Sequence, residues 1–237
     1  MELSLRRATI ADAEALVDIY LSAFEDDLIS QRVFPRSSAS SRAFWLDMLR
    51  EEMCEESAHF LVVTTSAGAI SRKGSEGGDQ EEREEEEEEA TIVAFAKWNP
   101  PRYYPPSALA LPAQWPDASD VALATAFFGA LTQTRLALVG DGAEDRDRVW
   151  YLELIATRPA WQRKGAAGQL IRWGLERADR EARRCYLEAS PGGKPVYERY
   201  GFRERERLVV DVSGEEDFVE VFMVRDVLGK EEEEERR

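Results

Sequence analysis

The spacing of apolar and polar residues predicts alternating strands and helices in the first hundred positions. Residues 3–8 alternate as in a short strand. Thr9 follows, with Asp12 three residues later, a pair that resembles a capping box at the start of a helix. Similar patterns predict a second helix over 40–56 and strands over 60–65 and 91–98.

The second half of the chain has the clearer pattern. A helix is predicted at about 119–139, and a strand over 149–157 leads into a helix over 165–183. The remaining predicted elements are a strand over 185–189, a short helix over 194–200, and a closing hairpin of strands 205–212 and 218–225.

Three segments interrupt this order. Residues 67–90 are mostly Gly, Ser and Glu and cannot bury enough apolar surface to fold, so we predict a disordered acidic loop inserted between two strands. A proline-rich loop and an inserted helix fill 99–148, and 230–237 is predicted to be a disordered acidic tail. Because long surface insertions cost little closure entropy, we interpret 1–229 as a single domain.

The net charge of −16 comes mainly from the acidic segments. Residues 72–89 contribute −7 and residues 230–237 contribute −2, which leaves −7 for the rest of the chain. That body has no clustered positive charge, so it is not expected to bind nucleic acid, whereas a cationic small substrate is compatible with it.

Targeting and membrane signals are absent from the pattern. The longest apolar runs are too short to cross a bilayer, and the first residues show no secretory signal. We therefore expect a soluble protein of the cytoplasm, with the nucleus as the alternative location, that binds no membrane and is a monomer or homodimer.

The cysteine and histidine content excludes several classes of site. Cys54 and Cys185 cannot form a disulfide framework, and they lack the spacing of metal ligands. His59 is the one histidine, and no Gly-x-Ser-x-Gly turn presents a serine nucleophile. We expect no metal, and metallohydrolase and serine-hydrolase functions are disfavoured.

The segment 150–168 carries the main chemical signal. A strand ends at Thr157, Pro159 turns the chain, and a basic loop with small residues opens a long helix. Free N–H groups and the positive end of the helix dipole favour an anion there, and Arg163 and Lys164 add charge. The Gly-x-x-x-x-Gly-Lys-[Ser/Thr] and Gly-x-Gly-x-x-Gly phosphate motifs are both absent.

The motif at this helix start, Gln162-Arg163-Lys164-Gly165-Ala166-Ala167, resembles the [Gln/Arg]-x-x-Gly-x-[Gly/Ala] pyrophosphate loop of the GNAT superfamily of N-acetyltransferases. The passage 155–159 before it and Tyr197-Glu198-Arg199-Tyr200-Gly201-Phe202 after it are similar to family motifs in the same order. The large insertions resemble a fungal-type branch. The resemblance implies an α/β domain with a central, mostly antiparallel twisted sheet that splays open near 155–157.

The resemblance also implies a function, the transfer of an acetyl group from the co-substrate acetyl-CoA to an amine by direct attack in a ternary complex. The acceptor is a small-molecule or peptide amine. The alternative is a catalytically degenerate CoA-binding protein with a regulatory or interaction role. A more distant alternative is a nucleotide-binding interaction protein, which the missing Lys-[Ser/Thr] pair disfavours.

Site residues follow from the family pattern. Tyr197 matches the position that protonates the departing thiolate, and a phenol suits that role. A carboxylate base is expected, with Glu153 as first choice and Glu188 as second; strand alternation predicts that Glu153 shares a face with Ile155. Main-chain groups of three residues would pair with the pantetheine arm, and the loop would hold the pyrophosphate: Ile155, Ala156 and Thr157, then Gln162, Arg163, Lys164, Gly165, Ala166, Ala167 and Gly168.

Other side chains have both a structural and a functional interpretation. Glu153 could be an ion-paired structural carboxylate, and Tyr197 could simply pack beneath the last helix. Asp26 and Asp27 could meet a cationic amine or could form a solvated helix end. Candidates for lining an acceptor pocket are Phe24, Trp98, Tyr103 and Tyr104, of which Phe24 and Trp98 could equally serve core packing.

Overall fold

The computed structural model describes residues 2–54, 58–65, 90–104, 110–212 and 217–227. The predicted tail and all but the last residue of the predicted acidic loop lie outside these ranges. The strands are β1 (Leu3–Arg7), β2 (His59–Thr65), β3 (Ile92–Asn99), β4 (Trp150–Thr157), β5 (Cys185–Ala189), β6 (Arg203–Val210) and β7 (Phe218–Arg225). The α-helices are α1 (Ala13–Ala23), α2 (Leu28–Val33), α3 (Ala39–Cys54), α4 (Val121–Val139), α5 (Ala166–Arg180) and α6 (Lys194–Glu198).

All seven strands form one sheet in the order β1-β2-β3-β4-β5-β7-β6. Neighbouring strands are antiparallel except β4 and β5, which are parallel. The connection between these two strands contains α5, as a parallel crossover requires. The predicted mixed α/β class with a mostly antiparallel sheet is confirmed.

The sheet splays apart between β4 and β5. Their pairing covers three positions and ends at Leu152 opposite Leu187, whereas β3 stays paired with β4 as far as Thr157. From residue 153 onward one edge of β4 therefore has no neighbouring strand. The predicted opening is present, and it begins two residues earlier than the sequence suggested.

A β-bulge in β4 changes the direction of Glu153. Lys97 of β3 is opposite Leu154 and Trp98 is opposite Leu152, so Glu153 is the extra residue between them. The predicted sharing of a face by Glu153 and Ile155 is therefore wrong. Glu153 meets Lys97 on the face where Leu154 packs, while Ile155 packs on the opposite face.

The two faces of the sheet carry separate cores. On one face α5 packs with Leu170, Ile171 and Leu175 against buried residues of β2 to β5. The approach is close at Gly174, where an added Cβ would lie 2.2 Å from the Trp98 ring. On the other face, α1 to α4 enclose an aromatic core around Tyr20, which packs 3.7 Å from the Trp45 ring.

Local signals explain most helix boundaries. The Asp12 carboxylate accepts hydrogen bonds from the backbone N–H and the hydroxyl of Thr9, at 2.7 and 3.1 Å, as the capping-box pattern predicted. Asp120 caps α4 by accepting from the N–H of Leu123 at 3.1 Å. Helix α2, which was not predicted, is capped by Asp27 and has too few residues for a periodic signal.

Helix α4 is long and apolar enough, by length and composition alone, to cross a membrane, although the apolar runs of the sequence had indicated no such span. The difference arises because Gly, Thr, Gln and Ala interrupt its apolar residues without adding charge. In the fold, α4 packs against α2 and β6 and buries Arg135 beside the sheet.

Candidate active site

A cleft of about 1390 Å³ opens where β4 and β5 diverge, between the start of α5 and the helices on the opposite face. The volume exceeds the roughly 300–1,000 Å³ of a pocket for one small molecule, so the cleft has room for two ligands side by side. Twelve of the thirteen predicted site residues line it. Lys164 does not; its ammonium lies 4.7 Å from the centre of the half-buried Trp161 ring.

One end of the cleft is built for an anion. Arg163 and Gly165 have left-handed backbone conformations, with φ of +60° and +92°, and α5 begins at the next residue, Ala166. The first-turn amides of α5 have no acceptor within the helix. No atom lies within 4 Å of a Cβ added at Gly165, so a ligand can approach the main chain closely.

Gly168, which lines the cleft, also lies at a close packing contact. A Cβ there would lie 2.6 Å from the Tyr200 hydroxyl, to which Arg172 donates a hydrogen bond at 3.3 Å. The Tyr200 side chain, which follows α6, packs against α5 at this point and leaves no room for a side chain at residue 168. Close access for a ligand is provided by Gly165.

The unpaired edge of β4 borders the same cleft. Ile155, Ala156 and Thr157 line it, and β3 occupies their other edge. Gln162 donates to the Thr157 carbonyl at 3.4 Å, which links the loop to the strand end. A ligand with amide groups can bind this edge as an added strand would.

Glu153 is the centre of a charged cluster. Lys97, whose side chain is only 7% exposed, lies 2.8 Å from Glu153 and 2.7 Å from Glu52, and the Asn99 amide also donates to Glu153. Desolvation raises the pKa of the Glu153 carboxyl, but Lys97, Asn99 and Arg135 together bring that pKa below its ordinary value. Glu153 is therefore ionised at neutral pH and already neutralised by its neighbours.

Glu188 has the opposite electrostatic setting. It accepts a hydrogen bond from the Tyr186 hydroxyl at 2.7 Å and lines the cleft beyond the last β4–β5 pair. Burial raises the pKa of Glu188 to about 7, against the lowering effects of Tyr186, Tyr151 and Arg135. A carboxyl with a pKa near neutrality can both accept and release a proton.

Tyr197 faces the cleft from α6. It is 9% exposed, and its ring contacts Phe202 edge to face at 6.1 Å between centroids. Burial, followed by the charge of Glu220, raises the pKa of its phenol above the ordinary value. The hydroxyl therefore stays protonated and can act as a hydrogen-bond donor toward the cleft.

Arg135 of α4 supplies positive charge to this wall. The guanidinium is 9% exposed and lies 5.1 Å from the Tyr104 ring centre and 5.4 Å from that of Tyr151. Such contacts stabilise a cation without neutralising it. Arg135 thereby lowers the pKa of both Glu153 and Glu188.

Four charged or polar residues around Glu153 and Glu188 were not predicted from the sequence: Lys97, Asn99, Arg135 and Glu220. A signal for two of them was present, because Lys97 and Glu220 are charged residues inside apolar strands, as Glu153 and Glu188 are. Among the acceptor-pocket candidates, Phe24, Tyr103 and Tyr104 line the cleft, but Trp98 is buried under α5. Asp27 lines the cleft, and Asp26 is an exposed residue outside it.

The cysteines and the histidine lie outside the cleft. Cys185 is fully buried, which raises the pKa of its thiol to about 12, and Cys54 is exposed. His59 contacts Arg7 at 3.0 Å and stacks on Trp150. Over the described residues, no group of three or more His, Cys, Asp or Glu side chains is arranged to hold a metal ion.

Comparison with known proteins agrees with this geometry. Residues 120–212, from the start of α4 to the end of the β6 region, match the family model of the acetyltransferase (GNAT) domain. A sequence comparison with curated proteins gives no match.

Solved structures extend the likeness to the rest of the fold. A histone acetyltransferase and related acetyltransferase from Corynebacterium glutamicum is 20% identical, with a TM-score of 0.60 over 97% of this chain and 98% of its own. A mosquito arylalkylamine N-acetyltransferase like 5b is 12% identical, with a TM-score of 0.60 over 94% of this chain and 99% of its own. The Drosophila melanogaster polyamine N-acetyltransferase, which forms N-acetylagmatine, is 13% identical, with a TM-score of 0.59 over 95% and 100%.

The splayed seven-stranded sheet is the GNAT fold. The sequence match to the acetyltransferase (GNAT) domain is confined to residues 120–212. The cleft at the β4–β5 divergence is the candidate active site.

Proposed function

We propose that this protein is an N-acetyltransferase that moves an acetyl group from acetyl-CoA to an amine by direct attack in a ternary complex. The described residues fit the co-substrate. The amides at the start of α5, with Arg163 and Gly165, suit its pyrophosphate, and the unpaired edge of β4 suits the amides of its pantetheine arm. Acetyl-CoA supplies the activated acyl group as a thioester.

The base must take a proton from the attacking amine, because an ammonium has no free lone pair. Glu188 is the better candidate for this role. Its pKa of about 7 leaves a large ionised fraction at neutral pH and retains enough basicity to accept the proton. Glu153, the first choice from sequence, has a lowered pKa and two engaged partners, which make it a weak base. We assign Glu153 to positioning and to the charge balance of the cleft.

Tyr197 is proposed as the acid that protonates the departing sulfur. Its phenol is protonated at neutral pH, borders the cleft, and lies on the side of the opening that α5 and α6 share. A covalent acyl-enzyme is not expected, because Cys185 is buried with a raised pKa and Cys54 lies outside the cleft. The protein residues therefore act as proton acceptor and proton donor on opposite sides of a direct transfer.

The observation that carries this proposal is the coincidence of an unpaired strand edge and a free helix N-terminus with Glu188 and Tyr197 in one cleft. It is tested by measuring thiol release from acetyl-CoA with a panel of small amines and amino-terminal peptides. Amine-dependent release, abolished by boiling and by omitting the amine, supports the enzyme. Calorimetric binding of CoA without release across the panel would favour the degenerate CoA-binding protein instead.

A further inference from the structure

A carboxylate on the β7 wall of the cleft has no partner. Glu220 is 9% exposed and lines the cleft, and it makes no hydrogen bond or ion pair within the residues that the structure describes. A buried charge without a partner is costly, so such a group stays protonated when unpaired and ionises when a cation binds beside it.

Strand register places Glu220 beside the proposed base. Glu188 of β5 is opposite Phe222 of β7, so Glu220 lies two residues away on the same face. Such diagonal neighbours are separated by about 7–8 Å. Glu188 and Glu220 therefore face the same cleft from adjacent strands, as diagonal neighbours.

A third carboxylate extends this arrangement. Asp27 lines the cleft from the start of α2, where one of its oxygens accepts from the Ser30 N–H at 2.7 Å. Burial first, then the charges of Glu188 and Asp27, raise the pKa of Glu220 to about 8. Lys97 is engaged by Glu52 and Glu153, and Arg135 acts on Glu188.

We propose that Glu220 and Asp27 form a subsite for a second cationic group of the acceptor, so that the acceptor is an alkyl diamine or a longer polyamine. The inference rests on the proposed function, because Glu188 marks where the acetylated nitrogen lies. The separation of Glu188 and Glu220 is roughly the span of butane-1,4-diamine or pentane-1,5-diamine. Phe127 and Phe218, whose centroids are 5.5 Å apart, provide apolar surface beside this path for the methylene chain.

The kinetic test compares butane-1,4-diamine with butylamine. The ratio of their kcat/KM values is expected to be at least about tenfold in favour of the diamine, since a charge-assisted contact contributes about 1.5–3 kcal/mol. Glu220→Gln keeps the shape of the side chain and removes its charge. Asp27→Asn does the same and also preserves the cap of α2. Each variant should bring the ratio of the two kcat/KM values toward one. Glu206→Gln, at an exposed position outside the cleft, has the same charge change and should leave the ratio unaltered.

Calorimetry tests the subsite without turnover. The wild-type protein, saturated with CoA, should bind butane-1,4-diamine at least about tenfold more tightly than it binds butylamine. Diamine binding at pH 7 should also release a proton, because the arriving cation favours the ionised form of Glu220. Glu220→Gln should reduce that release, measured in buffers of different ionisation enthalpy, to the part that Glu188, with its pKa of about 7, contributes.

The outcomes separate the two proposals. Turnover of butylamine and the diamine at equal kcat/KM, with equal affinities in calorimetry, would overturn the subsite and leave the acetyltransferase intact. Absence of thiol release with every amine would overturn the proposed function, and the calorimetric comparison would then decide on the subsite alone.

Discussion

The role of Glu188 makes a specific prediction about pH. With a pKa of about 7, the ionised fraction of Glu188 is about a tenth at pH 6 and about nine tenths at pH 8. We expect kcat/KM to rise about tenfold across that interval, measured by thiol release with the best amine of the panel. The amine's own ionisation produces a separate limb at higher pH, near the ordinary pKa of an alkyl ammonium.

Substitutions then test whether the rise in kcat/KM between pH 6 and pH 8, the limb near pH 7, is due to Glu188. Glu188→Gln should lower kcat by about 10²–10⁴ and remove the limb near pH 7. Tyr186→Phe removes the donor at 2.7 Å that lowers the pKa of Glu188. A hydrogen bond to a charged group is worth about 1.5–3 kcal/mol, so the limb should move upward by about one to two pH units.

Glu188 would not be the base if Tyr186→Phe left the rise near pH 7 in place, or if Glu188→Gln retained wild-type turnover. If Glu153→Gln abolished turnover while Glu188→Gln did not, the base would lie on β4. Circular dichroism and CoA affinity serve as controls, because neither substitution changes the loop that precedes α5.

Three further predictions follow from the cleft. Tyr197→Phe should lower kcat at least about tenfold while CoA affinity stays within about twofold, as calorimetry can check. Lys97→Met leaves Glu153 without its ion-pair partner and should lower the free energy of unfolding by about 1–2 kcal/mol, measured in urea, because the 37% exposed Glu153 side chain stays partly hydrated; an unchanged free energy of unfolding would contradict the pairing. Because the pKa of Glu220 is raised from 4.5 to about 8, wild-type stability should fall as pH rises between those values, since the unfolded state loses its proton first. Glu220→Gln should accordingly raise Tm by about 5 °C or more at pH 8 and by little at pH 4; equal shifts at both pH values would contradict this.

Local sequence signals were sufficient for most elements and for placing the loop before α5, which lines the cleft. The start of α5 could be located because small residues, positive charge and a helix onset are adjacent in the chain. The fold class followed from the motif order around that helix. The pairing of Lys97 with Glu153 could not be predicted, because it depends on strand register between residues 56 positions apart.

The bulge at Glu153 shows why strand alternation failed at the site itself. One extra residue in β4 puts Glu153 on the face that strict alternation assigns to its neighbours. Nothing in the local composition marks the bulge, since no glycine or proline lies within β4. Similarly, the choice between Glu153 and Glu188 as base depends on burial and on hydrogen bonds from tyrosines, which are tertiary properties.

The short parallel pairing between β4 and β5 has a mechanical consequence. The sheet consists of a four-stranded half, β1 to β4, and a three-stranded half, β5 to β7, joined along the strands by three residue pairs. Glu153 belongs to the first half and Glu188 to the second. A ligand that lies across this seam completes a continuous sheet, so its binding energy adds directly to the cohesion of the two halves. The protein is therefore expected to be most stable when a ligand occupies the cleft.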